Sequence, residues 1–238
     1  IFGIFTIASY FSWIRKSTYS GIDTRTTSSP KGNGFFLVLK DAKVLSIGIC
    51  GLVVGLAFSG LLGATLGHFL RFSVGTEFNI FIITIGVASL TGILLGFKSF
   101  AEVFVGPFGG YVSDRFGRLK VLVFSMCIAF VGLVLVGMTD NVLFTTAMLL
   151  LTFVGGVLLS MQLLPLVGLI AKKHSRSEVF SVYNTFQDVG SALGPFIGLS
   201  LIDAQHLPSL YQSCSVLLVG MVLLVIFKFR GHFHQISA

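Results

Sequence analysis

The sequence predicts an all-α polytopic membrane protein built on a six-helix transmembrane bundle, and three observations predict it. Charge is scarce: 54% of the 238 residues are hydrophobic and 11% charged, with a mean hydropathy of +0.95, where a soluble domain carries about 25% charged residues. Six apolar segments, at roughly 44–66, 80–110, 120–138, 142–170, 180–202 and 210–228, approach or exceed the ~20 residues that a helix needs to cross hydrocarbon. The Lys and Arg residues fall between these segments in strict alternation, which orients the chain. The runs are too long for barrel strands and lack period-two alternation, so helices are expected throughout. A water-soluble globular domain, a disordered tail and a secreted disulfide scaffold are excluded by the same arithmetic.

Residues Ile1–Ile14 form an incomplete apolar segment. As a helix it would reach about 21 Å, short of the ~30 Å hydrocarbon core. No basic region precedes it and the chain does not begin with Met, so 1–14 is expected to be a truncated transmembrane helix. Residues 15–43 read as a cytoplasmic linker, Ser/Thr/Gly-rich over Ser17–Gly34 and suited to the membrane surface over Phe35–Lys43. The bundle is expected over 44–229 and a cytoplasmic tail over 230–238. Fourteen of the sixteen Lys and Arg residues lie on one side of this topology. Arg71 lies on the other side and Lys98 within a span. The C-terminus is therefore expected in the cytoplasm and the protein in the plasma membrane.

The net charge of +7 forms no single patch, so no nucleic-acid partner is expected. Cys50, Cys127 and Cys214 sit inside apolar segments and read as small buried hydrophobes. His232 and His234 lie on a basic tail and read as solvated. No metal and no cofactor is expected.

Along the first span Gly51, Gly55, Ser59, Gly63 and Gly67 recur every four residues, a ridge that lets another helix approach closely. The second span carries Lys98 and Glu102. On the insertion scale two such charges cost about 5–7 kcal/mol, which the surrounding Leu, Ile, Val and Phe offset by about 3–7. That helix needs neighbours or a wet cavity. At i,i+4 the two charges can pair on one face, about 24 and 18 Å along the helix from Asp114 and so bracketing the membrane midplane. The fourth span offers Gln162. The fifth offers Tyr183, Asn184, Gln187, Asp188 and Ser191, of which all but Tyr183 share an arc of about 100°. Asp188 falls near mid-membrane, where a buried carboxylate suits proton coupling. Lys98, Glu102, Gln162, Asn184, Gln187 and Asp188 are the candidates for a substrate or proton pathway. Gly190, Gly194 and Gly198 form a second small-residue ridge, and Pro195 is placed to kink it.

The loop after the second span reads Gly110-Tyr-Val-Ser-Asp114-Arg115-Phe-Gly117-Arg118. Gly117 can supply its tight turn, and Asp114 suits the positive N-terminus of a neighbouring helix. This G-x-x-x-D-R-x-G-R pattern resembles the signature loop of the major facilitator superfamily, which follows the second helix of each six-helix half. The run Gly190-x-x-x-Gly194-Pro195-x-x-Gly198 strengthens the likeness. The resemblance implies a secondary transporter of a small solute, made of two six-helix bundles around a central cavity. It implies that this chain holds the end of the sixth helix, the central loop and the C-terminal half, with the N-terminal half and the lipid bilayer as partners and protons as a candidate coupling ion. It also implies that Asp114 braces the loop against the opposite half. The fourth span lacks the Arg that many first halves carry. The glycine–proline run is associated with antiporters when it lies in the first half, so antiport does not follow here. Two alternatives stay open: a half-transporter acting as a homodimer, and a membrane-embedded enzyme, against which stands the lack of any His in the middle of a span.

Overall fold

A computed structural model describes residues 39–74, 77–80, 83–136, 138, 141–170, 176–201 and 206–233. The expected truncated helix, most of the linker and residues 234–238 of the tail lie outside them. The chain enters its first helix at Asp41, whose carboxylate accepts from the Lys43 amide at 2.8 Å, satisfying one of the donors that a helix start leaves open. Helix α1 (Ala42–Val54) passes without a break into a π-helical segment (Gly55–Leu61) and on into α2 (Leu62–Val74), so the three form one rod.

Beyond α2 the structure departs from expectation. The second span was expected to be helical from residue 80, but Glu77–Ile80 (β1) and Ile83–Gly86 (β2) pair as an antiparallel hairpin in the register Glu77↔Gly86 to Ile80↔Ile83. The run Ile80-Phe-Ile-Ile-Thr-Ile is β-branched and aromatic, which suits a strand as well as an apolar helix. Extended Gly86 then ends the strand, and α3 (Val87–Phe116) begins beside it. At 30 residues α3 is about 45 Å long and swallows most of the expected second-to-third connection. The loop reduces to Gly117 alone, at φ +95°, after which α4 (Arg118–Leu135) starts. Helices α5 (Val142–Ile170), α6 (Arg176–Ser200) and α7 (His206–Phe233) complete the bundle. Pro195 sits inside α6, which runs on past it to Ser200.

Among the described residues five helical stretches are long and apolar enough to cross a membrane: Ala42–Ser73, Val87–Phe116, Arg118–Leu135, Val142–Gly168 and Leu207–Lys228. Helix α6 matches them in length, but Asn184, Gln187 and Asp188 make it more polar. The ends of the fold meet: the Lys228 ammonium near the end of α7 donates to the Ala42 carbonyl and, at 2.6 Å, to Ser46 Oγ at the start of α1. Toward the other end Thr65 and Tyr211, both fully buried, share a hydrogen bond of 2.7 Å, and Phe69 sets its ring edge-on to Tyr211 at 5.4 Å.

Small residues set the helix spacings. A Cβ on Gly155 would come 2.6 Å from the Ala129 amide, and one on Gly132 would fall on Thr152, so α4 and α5 meet at backbone distance. The tightest seam joins the first rod to α6. There a Cβ on Gly190 would strike the Leu52 carbonyl, one on Gly55 the Gln187 carbonyl, and one on Gly194 the backbone of Gly60 and Leu61. Gly51 lies against the Tyr183 ring and Gly198 against Thr65. Gly63 does not join this seam as expected. A Cβ there would meet only its own helix, 3.9 Å from the Phe58 carbonyl, because the π-helical segment shifts the register by about one residue. Gly60 takes the place on the seam that strict i+4 spacing assigns to Ser59.

The seam predicts an asymmetry among glycines. Gly194→Ala forces two backbones apart and should cost about 1–3 kcal/mol, whereas Gly220→Ala, which meets nothing within 4 Å, should be neutral or stabilising by up to ~1 kcal/mol. Thermal unfolding of the two variants in detergent separates the cases, and equal midpoints would contradict the seam.

Candidate functional site

The rod, α3, α5 and α6 enclose a cavity of about 210 Å³. Its wall combines Lys98 and Glu102 from α3, Ser59 and Phe58 from the π-helical segment, Phe153, Gly156, Val157, Ser160, Met161 and Leu164 from α5, and Tyr183 and Gln187 from α6. The register shift that carries Gly60 to the seam turns Ser59 toward this space. Gly156 leaves room for Phe58, whose ring would lie 2.5 Å from a Cβ at that position. Ser160 returns its hydroxyl to the Gly156 carbonyl at 2.8 Å.

Lys98 Nζ and Glu102 Oε1 stand 4.0 Å apart one helical turn along α3, with side chains 19% and 51% exposed. The i,i+4 spacing thus does bring the charges together, at the outer limit of an ion pair. A pair this loose and this exposed contributes little to stability, so both groups remain free to meet another charge at small cost. The lining is otherwise aromatic and aliphatic, with hydrogen-bonding capacity from Tyr183, Gln187 and Ser59.

The other expected pathway residues fall elsewhere. Of the polar arc on α6 only Gln187 reaches the cavity wall; Asn184 and Asp188 are exposed. Asp188 was expected to be buried, but the seam of Gly190 and Gly194 lies on the opposite side of α6 and leaves the carboxylate uncovered by this bundle. Gln162 is 4% exposed and donates its amide to the Gly109 carbonyl at 3.2 Å, joining α5 to α3. It holds the wall in place without lining it. Tyr183 lies outside the polar arc that the sequence pattern defines, yet it lines the cavity. Its position four residues before Gln187 is the signal that would have placed it on the cavity face. Phe58, Phe153 and Met161 carry no signal that separates them from lipid-facing apolar residues.

The signature loop forms the end of α3. Gly110 is exposed in open space, Arg115 sets its guanidinium 5.9 Å from the Phe116 ring, and Asp114 pairs with Arg118 at 3.4 Å across the Gly117 break. Asp114 is thereby held beside the first residue of α4, where the helix dipole favours a carboxylate. Among the described residues no group of three or more His, Cys, Asp or Glu could hold a metal ion.

The sequence matches the Major Facilitator Superfamily over residues 47–235. The chain belongs to that superfamily. It is an integral membrane protein of a transporter family, not of an enzyme class. Among curated proteins it is similar to the multidrug resistance protein MdtH of Photorhabdus laumondii, at 28% identity over 62% of this chain and 36% of that protein. It is also similar to MdtH of Yersinia pestis, at 30% over 52% and 31%, and of Yersinia enterocolitica, at 28% over 49% and 29%. The matched region thus spans about a third of the length of these relatives. The superfamily match starts inside α1 and includes every residue of the cavity wall and the signature loop.

The loop geometry yields a test. Gly117 has φ +95° and ψ 130°, a conformation that only glycine adopts without strain. Gly117→Ala, for which the space itself is open, should cost about 1–3 kcal/mol through the backbone alone. An unchanged unfolding midpoint would show that the loop relaxes freely.

Proposed function

We propose that this chain is the C-terminal six-helix half of a secondary active transporter that moves a small solute by alternating access. The carrying observation is the cavity itself. In a member of the superfamily, four helices close around an apolar pocket that holds one loose ion pair, Lys98 and Glu102. Transporter sites of this kind lie at the interface of two helical bundles near the bilayer midplane. The opposite wall would come from an N-terminal half, toward which the exposed Asn184 and Asp188 would look. A wall of Phe58, Phe153, Met161 and Leu164 suits an amphipathic solute, in keeping with the multidrug resistance named for the relatives. Glu102 and Asp188 are the carboxylates placed to couple protons. The bundle would occupy 44–229 with both the linker and the C-terminus in the cytoplasm of a plasma-membrane protein, supported by the cation alternation and by the Lys228–Ala42 contact.

Efflux of a fluorescent amphipathic dye from cells expressing the intact transporter tests this reading. Glu102→Gln and Asp188→Asn should each reduce proton-driven efflux about tenfold or more while surface expression persists. Efflux unchanged at every pH in both variants would remove the carboxylates from the mechanism. The topology has its own check. A reporter fused after Ala238 should register as cytoplasmic and one inserted near Asp140 should not, and the reverse result would overturn the orientation.

A further inference from the structure

The cavity wall contains a group that the transport reading leaves without a role. Among the described residues two buried side-chain polar atoms have no hydrogen-bond partner, Ser113 Oγ and Tyr183 Oη. For Ser113 the fold supplies a reason. Helical Ser and Thr side chains here commonly donate to the carbonyl four residues back, as Thr65, Thr91 and Ser160 do. The matching acceptor for Ser113 is the Gly109 carbonyl, which already receives the Gln162 amide. Tyr183 has no such explanation. It is 1% exposed and lines the cavity, with its ring edge seated on Gly51, where a Cβ would come 2.8 Å from Cε2.

Tyr211 is the internal comparison. It is as deeply buried as Tyr183, yet its hydroxyl is satisfied by Thr65 at 2.7 Å. Native proteins pair nearly all such groups, and an exception is accounted for by strain, by a chemical role or by a bound water, ion or ligand. A tyrosine also loses little conformational entropy when it anchors a ligand, because two torsions position the whole ring.

We propose that Tyr183 is a ligand-contacting residue of this cavity, its hydroxyl donating to a hydrogen-bond acceptor on a flat aromatic amphiphile packed against Phe58, Phe153 and Met161. A phenolic hydroxyl with a free proton selects a carbonyl, ether or ring-nitrogen acceptor. The apolar wall selects the aromatic body, and Lys98, Glu102 and Gln187 supply the polar rim beside it. The assignment rests on the transport reading and adds to it a feature that the solute must carry.

The test uses the intact transporter purified in detergent and two probes. Rhodamine 6G carries an ester carbonyl and a ring oxygen, whereas tetraphenylphosphonium is an aromatic cation with no hydrogen-bonding group. Tyr183→Phe should weaken rhodamine 6G binding about three- to tenfold, the size of one hydrogen bond, and leave tetraphenylphosphonium binding unchanged. The unfolding midpoint of the ligand-free variant should stay level or rise, since a hydroxyl without a partner is removed. Tyr211→Phe should do the opposite, lowering the midpoint with both affinities intact. Equal affinities of wild type and Tyr183→Phe for rhodamine 6G would overturn the assignment, as would equal weakening of both probes. A fall in the ligand-free midpoint like that of Tyr211→Phe would overturn it in favour of a structural bond. Failure of wild type to bind either probe would instead overturn the cavity as a site for aromatic amphiphiles, and the Tyr183 proposal with it.

Discussion

The structure depends on one close approach, that of the first helical rod to α6 along Gly51, Gly55 and Gly60 on one side and Gly190, Gly194 and Gly198 on the other. In a bilayer no hydrophobic gain drives helices together, so association rests on van der Waals fit and on how near the backbones can come. Here the fit is at the limit, since a single added carbon at Gly55, Gly190 or Gly194 would overlap a backbone atom of the neighbour. A continuous α-helix carrying glycines at 51, 55 and 60 could not present all three to one partner. The π-helical segment absorbs the extra residue and restores the alignment. Hydrogen-bond geometry in such a segment is less favourable and such segments recur at functional sites. The same distortion that completes the seam turns Phe58 and Ser59 into the cavity. Packing and site are therefore produced by one local irregularity.

The electrostatics of the cavity follow from that geometry. Two charges placed one helical turn apart on α3 neutralise each other locally, which lowers the cost of carrying them in a largely apolar helix. Their 4.0 Å separation and the 51% exposure of Glu102 show that neither charge is consumed by the pair. A tight, fully buried ion pair would be expensive to open. A loose one at the edge of an apolar pocket separates at smaller cost. Gln162 has the contrary arrangement: buried, bonded to Gly109 and removed from the cavity, it spends its polarity on holding α5 to α3.

Much of this was legible in the sequence, for physical reasons that differ by element. Hydropathy locates the helices because backbone in hydrocarbon must satisfy its own hydrogen bonds, and Lys98 with Glu102 could be paired because i,i+4 spacing is a local fact of helices. The hairpin was not legible, since the short apolar run Ile80–Ile85 suits either a strand or a helix start. The register shift was not legible either: ridge spacing assumes a uniform helix, and nothing in Gly55–Leu61 announces a wider turn. A helical wheel shows that Asn184, Gln187 and Asp188 share a face but not what covers it, and so Asp188, expected to be buried, is left exposed by this bundle. Gly156 and Ser59 share the cavity wall only through tertiary packing, which one sequence does not encode in any periodicity.

The signature loop takes a different mechanical character from its reduction to a single residue. A ten-residue connection would let the ends of α3 and α4 move separately. With Gly117 alone between them and Asp114 bonded to Arg118 across it, a displacement of the end of α3 must carry the start of α4. Helix α4 packs at backbone distance on α5 at Gly132 and Gly155, and α5 reaches α3 through the tip of Leu158, which would come 2.7 Å from a Cβ on Gly109. The α4–α5 contact is therefore the stiff one, since a neighbouring backbone cannot give way as the tip of Leu158 can. The seam ties the first rod to α6 in the same way. Tightly packed interiors switch between discrete arrangements rather than deforming continuously. A displacement at the loop is accordingly transmitted most directly from α3 to α4 and on to α5.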